Sequence, residues 1–255
     1  MERFIKNLAR GAGAILRDGF RTEFKISQKK ASYDLVTEYD LASEQFIVDR
    51  LRKKYPQHGI IAEETGHRFK GRDFWLIDPM DGTIPFCRGL AGFCVSIAFA
   101  KAGKIKLGAV YDPVADEMFF AEWGRGATLN GRGISVSKQA ELQYREVSLL
   151  LGSAETPPVV RRKIFDVVAQ YSMWPLGVGS AALCCRNVAC GRYDIVISKS
   201  LFPWDYAAAS VILKEAGANV SDFKGRPFRW NFDELVAANP VLHTKIMKEF
   251  HSKKL

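Results

Sequence analysis

The chain has 255 residues, 47% of them hydrophobic, a formal net charge of +9 and five cysteines, enough apolar content for one large domain or two closely packed lobes. No apolar run reaches the roughly eighteen residues of a spanning helix, and MERFIKNLARGAGAILRDGF alternates charge with apolar positions, unlike a secretory signal, so a cytoplasmic protein without a membrane partner is expected. Its positive charge is dispersed over Gln28-Lys29-Lys30, Arg161-Arg162-Lys163 and Lys245 to Leu255, which read as solvated helix faces and ends; without an aromatic-interleaved basic stripe, nucleic acid is not expected as a direct ligand.

Phe4, Ile5, Leu8, Ala12, Ile15 and Leu16 recur at helical spacing and predict an amphipathic helix over residues 2–18. DLVTEYD (34–40) leads into a second helix, whose apolar stripe is expected to be Leu41, Phe46, Ile47 and Leu51 and whose end is expected at Tyr55-Pro56. Apolar runs at 59–62, 74–77, 93–100, 105–111 and 118–121 predict strands, with a tight turn at Asn130-Gly131, and this stretch is expected to be antiparallel. From about Val147 the pattern alternates strand and helix: VSLLLG, then helices at 157–171, 180–189 and 204–217 around a strand at 193–197. A strand-rich lobe over about 1–143 and an α/β lobe over about 144–255 are therefore expected within one compact unit. Cys87, Cys94, Cys184, Cys185 and Cys190 form no CxxC pair and read as small buried hydrophobes in a reducing compartment. His58, His67, His243 and His251 read as surface residues.

WLIDPMDGTIPF (75–86) places Asp78 and Asp81 at the tip of an apolar strand. Carboxylates three apart across a tight turn converge and repel unless a proton or cation intervenes; a hard divalent cation such as magnesium, which prefers oxygen ligands at about 2.0–2.1 Å, is a natural partner. Taken alone, the pair also suits ordinary turn capping. Glu63-Glu64 follows the run GIIA and suits either a second set of ligands or a solvated loop. Asp40 and Thr37 precede a helix, as does Asp205 in Trp204-Asp205, so each also reads as a helix cap.

DLVTEYD, IIAEET, WLIDPMDGTIPF and PWDYAAASVILKEAG, in this order and at these intervals, closely resemble the four signature blocks of the inositol monophosphatase family, and KLGAVYDPVADEMFFAEWGRGATLNG and LGSAETP extend the resemblance over nearly the whole chain. The resemblance implies an α/β (α+β) fold, a layered αβαβα sandwich of the inositol monophosphatase and fructose-1,6-bisphosphatase type, and a homodimer. It implies a magnesium-dependent, lithium-sensitive phosphomonoesterase that holds two or three Mg2+ ions. Glu63, Asp78 and Asp81, with the carbonyl of Met80, would bind metal; Asp205 would complete a second site, and Glu64 would assist in an outer or third one. Thr83 and Asp40 would orient the attacking water, with Glu63 beside them in the catalytic set. Gly82 and Thr83 would receive the phosphate, and Ser153, Gly179, Ser180, Ala181 and Ser198 would lie along the substrate. The helix after the phosphate loop is expected to begin at about Pro85.

Two departures bear on the substrate. Seven residues before Asp205 the inositol-preferring members carry a glutamate, whereas this chain has Ser198; a lost charge-assisted hydrogen bond of roughly 1.5–3 kcal/mol would lower the preference for inositol about ten- to hundredfold. Pro85 replaces an asparagine near the phosphate loop. Fructose 1,6-bisphosphate, histidinol phosphate, NADP and 3′-phosphoadenosine phosphate therefore stand as alternative substrates. A non-catalytic role as partner of transcription and ribosomal-RNA factors is the alternative of another class.

Overall fold

The computed structural model describes residues 1–29, 34–68, 71–151, 156–172 and 175–253, with His67 and Arg68 as backbone only. Ser153 lies outside the described residues.

Helix α1 (Glu2–Gly19) buries Ile5, Leu8, Ala12 and Leu16 of the expected stripe, with Phe4 and Ile15 only partly buried at its margins. Strands β1 (Ile26–Gln28) and β2 (Leu35–Thr37) pair antiparallel. Helix α2 (Glu38–Lys54) starts with a capping box: the Thr37 hydroxyl accepts from the amides of Tyr39 and Asp40, and Asp40 accepts from the Thr37 amide. Its inner face differs from the expected one. Leu41 is exposed, and Asp40, Ser43 and Glu44 are buried with Ile47, Val48 and Leu51, because the first turns of α2 face a cluster of acids rather than the core.

The next elements are β3 (Gly59–Ala62), β4 (Gly66–Arg68), β5 (Phe74–Asp81), the short helix α3 (Thr83–Cys87), β6 (Cys94–Lys101), β7 (Lys104–Asp112), β8 (Glu117–Glu122), β9 (Ala127–Leu129) and β10 (Arg132–Gly133). They form an eight-stranded sheet in the order β10-β9-β8-β7-β6-β5-β3-β4. Asn130 and Gly131, both at positive φ, make the expected turn between β9 and β10. The sheet is not wholly antiparallel: β3 and β5 run parallel, with Ala62 opposite Ile77. That pairing carries both strands to the same end of the sheet, so Glu63, just after β3, lies beside Asp78 in β5.

The remaining elements are β11 (Val147–Leu151), α4 (Pro158–Ala169), α5 (Ala181–Ala189), β12 (Ile195–Lys199), α6 (Pro203–Glu215), β13 (Asn219–Ser221), β14 (Glu234–Ala238) and α7 (Pro240–Ser252). Their sheet has the order β11-β12-β14-β13, with only β11 and β12 parallel. Three apolar clusters define the layers. Residues of α1 and α2 pack on one face of the large sheet through Trp75, Ile77 and Ile97. Those of α5 and α6 lie between the sheets, touching Phe74 and Leu76 on one side and Val196 and Leu235 on the other. Those of α4 and α7 cover the outer face of the small sheet through Ile195, Ile197 and Val236. The architecture is αβαβα, as expected.

All five cysteines are free; Cys94, Cys184 and Cys185 are buried, whereas Cys87 and Cys190 are only partly so. Two histidines depart from the surface reading. His58 stacks between Tyr55 and Phe99 and accepts from the Trp75 indole N–H at 3.1 Å, and His243 is buried against the Ser221 hydroxyl at 2.9 Å. Each ring fills an apolar gap while its nitrogen satisfies a neighbouring polar group. Among the described residues no helix is long and apolar enough to cross a membrane.

Candidate active site

Strand β5 does not stop at Ile77. It continues through Asp81, with a register shift against β6 between Asp78 and Asp81. Pro79 has no amide for the ladder, and a bulge is where a sheet tolerates that. The expected tight turn is thus a bulged strand end. Asp78 accepts from the Met80 amide at 3.0 Å, and the Pro79 carbonyl accepts from Ser43 Oγ at 2.9 Å.

Four acids meet at this end. Asp78 is held well above the usual carboxylate range, first by burial, then by the charges of Glu63, Asp81 and Asp205. Asp81 is raised to about 6 by burial, against hydrogen bonds from Ala182, Ser180 and Ala181. Asp205, near the start of α6, is raised by burial and by Asp81 and Glu63, while accepting from the Phe202 amide at 2.8 Å. The neighbouring charges make Asp78 and Asp205 harder to ionise, the condition a cation relieves. Glu64 is raised to about 8 by burial and Glu63, although Lys29 opposes the shift. Lys29 Nζ donates to Glu63 at 2.8 Å and to Glu64 at 2.7 Å. This lysine, expected to be solvated, is partly buried, and the opposed charges of Glu63 and Glu64 outweigh the effect of burial and raise its pKa. Glu44, which sequence reasoning passed over, is fully buried and accepts from the amides of Glu64 at 2.8 Å and Thr65 at 2.7 Å, fixing the Glu63-Glu64 turn. Its only signal was a charged residue on the inward side of α2, four positions after Asp40.

Asp40 and Thr83 come together as expected: Thr83 Oγ1 lies 3.0 Å from Asp40 Oδ1 and 3.2 Å from the Met80 carbonyl, both acceptors of its one proton. Burial raises Asp40 to about 6, against the hydrogen bonds from Thr37 and Thr83. Helix α3 begins at Thr83, two residues before the expected start, with Gly82 as its cap. Phe86 anchors this single turn among Phe20, Phe24, Tyr39 and Phe93, with centroids 4.9–5.9 Å away. Gly82 sits at φ 107°, and a Cβ there would stand 2.3 Å from the Gly92 carbonyl oxygen and 2.9 Å from Phe93 Cα. Both neighbours are backbone and cannot yield cheaply. Gly82→Ala is expected to lower phosphatase activity at least tenfold and to lower the melting temperature by several degrees, since strain of about 1–3 kcal/mol is set at this corner; calorimetry and phosphate release check both.

The segment Gly179–Ala181 lies against Asp81 itself. Ser180 Oγ donates to Asp81 at 2.8 Å, and the amides of Ala181 and Ala182 donate at 3.2 and 2.6 Å. Asp81 therefore lies at the N-terminus of α5, where the helix dipole favours a negative charge. Gly179, at φ 79°, leaves room for Pro85, whose Cγ would be 2.5 Å from a Cβ at that position. Pro85 thus packs α3 onto the start of α5. Ser198 is buried on the inner face of β12, with no hydrogen-bond partner for its hydroxyl among the described residues.

The donor set of carboxylates and one carbonyl, without a thiol or imidazole, suits a hard divalent cation. Among the described residues no three acids, histidines or cysteines already stand as a ligand cluster; Asp81 accepts from α5 through both oxygens, and Asp205, Glu63 and Glu64 each through one, from the Phe202 amide and from Lys29. The pattern of the inositol monophosphatase family matches residues 1–255. The chain belongs to that family. It is 35% identical to the fructose-1,6-bisphosphatase/inositol-1-monophosphatase of Thermotoga maritima over 96% of this chain and 93% of that protein. It is 38% identical to the Nus factor SuhB of Escherichia coli K12, over 91% of this chain and 88% of that protein. The crystal structure of a SuhB from Bartonella henselae superposes with a TM-score of 0.91 at 30% identity, covering 98% and 97% of the two chains. Membership makes this chain a phosphatase and hydrolase by family.

Proposed function

We propose that the protein hydrolyses phosphomonoesters of small alcohols, inositol monophosphate foremost, and requires Mg2+. The observation that carries this reading is the group of mutually repelling acids Glu63, Asp78, Asp81 and Asp205 beside the Thr83–Asp40 hydrogen bond. Glu63, Asp78, Asp81 and Asp205, with the Met80 carbonyl, would hold the cations, and Glu64 would support an outer position. When bound, two or three such ions supply charge neutralisation and a more acidic water. The chain's own groups do the rest. Thr83, donating to Asp40, offers its lone pairs to a water and orients it; Asp40, held near pH 6, takes up its proton. Gly82, without a side chain, lets the loop amides approach the phosphate oxygens. Acids without their cations repel a dianionic substrate, so binding and metal go together.

The test is phosphate release by purified protein from inositol 1-phosphate, fructose 1,6-bisphosphate, histidinol phosphate, NADP and 3′-phosphoadenosine phosphate, with magnesium and with chelator. Preference for inositol 1-phosphate is expected, narrowed by the lack of a carboxylate at Ser198; release unaffected by chelator contradicts the proposal. Inhibition by millimolar lithium is expected. A homodimer and cytoplasmic residence belong to the same reading. The 38% identity to a Nus factor favours a second reading, a non-catalytic role beside transcription. Growth supported equally by a catalytically dead variant would favour it.

A further inference from the structure

A cleft of about 800 Å³ lies away from the acids, bounded by the turn after β6, the end of β8, the last turns of α6 and the loop before β14. Its residues come from the ends of elements opposite to those that build the acid site. Arg72 precedes β5, whose far end carries Asp78 and Asp81; Lys214 closes α6, whose first turn carries Asp205. Asp205 and Lys214 stand nine positions apart on α6, about 13.5 Å along the axis.

Five cations line the cleft: Arg72, Lys104, Lys106, Lys214 and Arg229, and no acid is among the described residues lining it. None of the five is ion-paired to a described carboxylate. The neighbouring acids are engaged elsewhere: Asp73 accepts from the Ala102 amide at 2.8 Å, Glu215 from the amides of Gly124 and Gly126 at 2.8 Å each, and Glu122 faces Arg125 at 3.5 Å. Burial lowers the Lys214 ammonium below its ordinary value, with no carboxylate offsetting the effect. Such a concentration of like charge around one concavity attracts anions.

The same cleft carries two indoles. Trp123 is 53% exposed, with Lys106 Nζ 5.0 Å from its ring centre. Trp230 stands edge-on to Phe74 at 5.2 Å. An exposed indole provides a flat face for stacking. We propose that this cleft binds a nucleoside polyphosphate, its base stacked on the exposed Trp123 and its phosphates on Lys214, Arg229 and the lysines Lys104 and Lys106 at the start of β7. The volume is that of an ordinary small-ligand site, typically about 300–1,000 Å³. Five cations exceed what a monophosphate would neutralise, and lysine and arginine donors without acids suit phosphate oxygens. No contiguous stretch of sequence shows this stripe; the fold assembles it from separate segments.

The test is titration of the full-length protein with ATP in EDTA, followed by tryptophan emission and calorimetry. One equivalent is expected to bind, with inorganic tripolyphosphate at least threefold weaker. The double variant Lys214→Gln, Arg229→Gln is expected to bind at least tenfold more weakly and Trp123→Ala at least threefold, while both hydrolyse inositol 1-phosphate at the unaltered rate. Asp205→Asn should leave ATP binding unchanged, which separates this cleft from the acid site. Absence of saturable binding, tripolyphosphate binding as tightly as ATP, a short single-stranded oligonucleotide preferred over ATP, indifference to the lysine and arginine changes, or loss in Asp205→Asn would each overturn the proposal. Should the double variant not fold, Trp123→Ala decides.

Discussion

Asp81→Asn is expected to cut phosphate release at least hundredfold. Disturbing a group that merely supports a metal ligand costs about 10–100-fold in affinity or activity, and Asp81 combines a proposed ligand's charge with three anchoring bonds. Its oxygens accept from Ser180 and from the amides of Ala181 and Ala182. An asparagine keeps one acceptor and turns an NH2 toward those donors, so part of the effect will fall on stability, about 1–3 kcal/mol for an unsatisfied donor. Asp205→Asn removes that ambiguity. The Phe202 amide needs only one acceptor oxygen, which asparagine retains, and removing one of four repelling charges relieves its neighbours. Its activity should fall by a similar factor with the melting temperature unchanged or raised. Steady-state kinetics with thermal denaturation of both variants checks the pair; activity within threefold of the unaltered protein in Asp205→Asn would remove that residue from the site.

The second large effect is that of cation removal, which should abolish turnover and make stability depend on pH. In the folded protein Asp40 and Asp81 titrate at about 6 rather than 3.8, and Glu64 at about 8 rather than 4.5. Through these three groups the folded chain binds more protons than the unfolded chain between about pH 4 and 8, and their contribution to stability falls as pH rises through that window. Magnesium, binding the ionised acids of the folded state, opposes the loss. The gap in melting temperature between protein in magnesium and protein in chelator should widen from pH 5 to pH 8, by at least about 5 °C for changes of a few kcal/mol in a chain of this size. Differential calorimetry at matched ionic strength measures it; a gap that stays constant or narrows contradicts the carboxylate cluster as the cation site.

Much of the machinery was legible in order along the chain. The stripe of α1, the Asn130-Gly131 turn and the Thr37 cap depend on neighbours within a few residues, and local spacing reports them well. The four acidic blocks were legible for a related reason, since each lies at a strand end or helix start that the local pattern marks. Lys29 was misread because a lysine beside another lysine looks solvated until a distant pair of glutamates is brought to it. Glu44 was missed because a single buried acid in a polar helix leaves no periodic signal. The expected turn at Pro79 proved to be a bulge, because proline reports only the missing amide and not how the sheet absorbs it.

By itself the sequence carried the resemblance to the family, and residue identity with short-range spacing determined the kinds of side-chain atom available and the segments that carry them. Tertiary structure decided which acids face one another, through the parallel pairing of β3 with β5 and the docking of α5 on Asp81, and it gathered the cations of the remote cleft around one concavity. Repulsion between carboxylates and attraction between lysine and glutamate act through space over a few ångströms, and only the packed layers bring residues more than a hundred positions apart within that range.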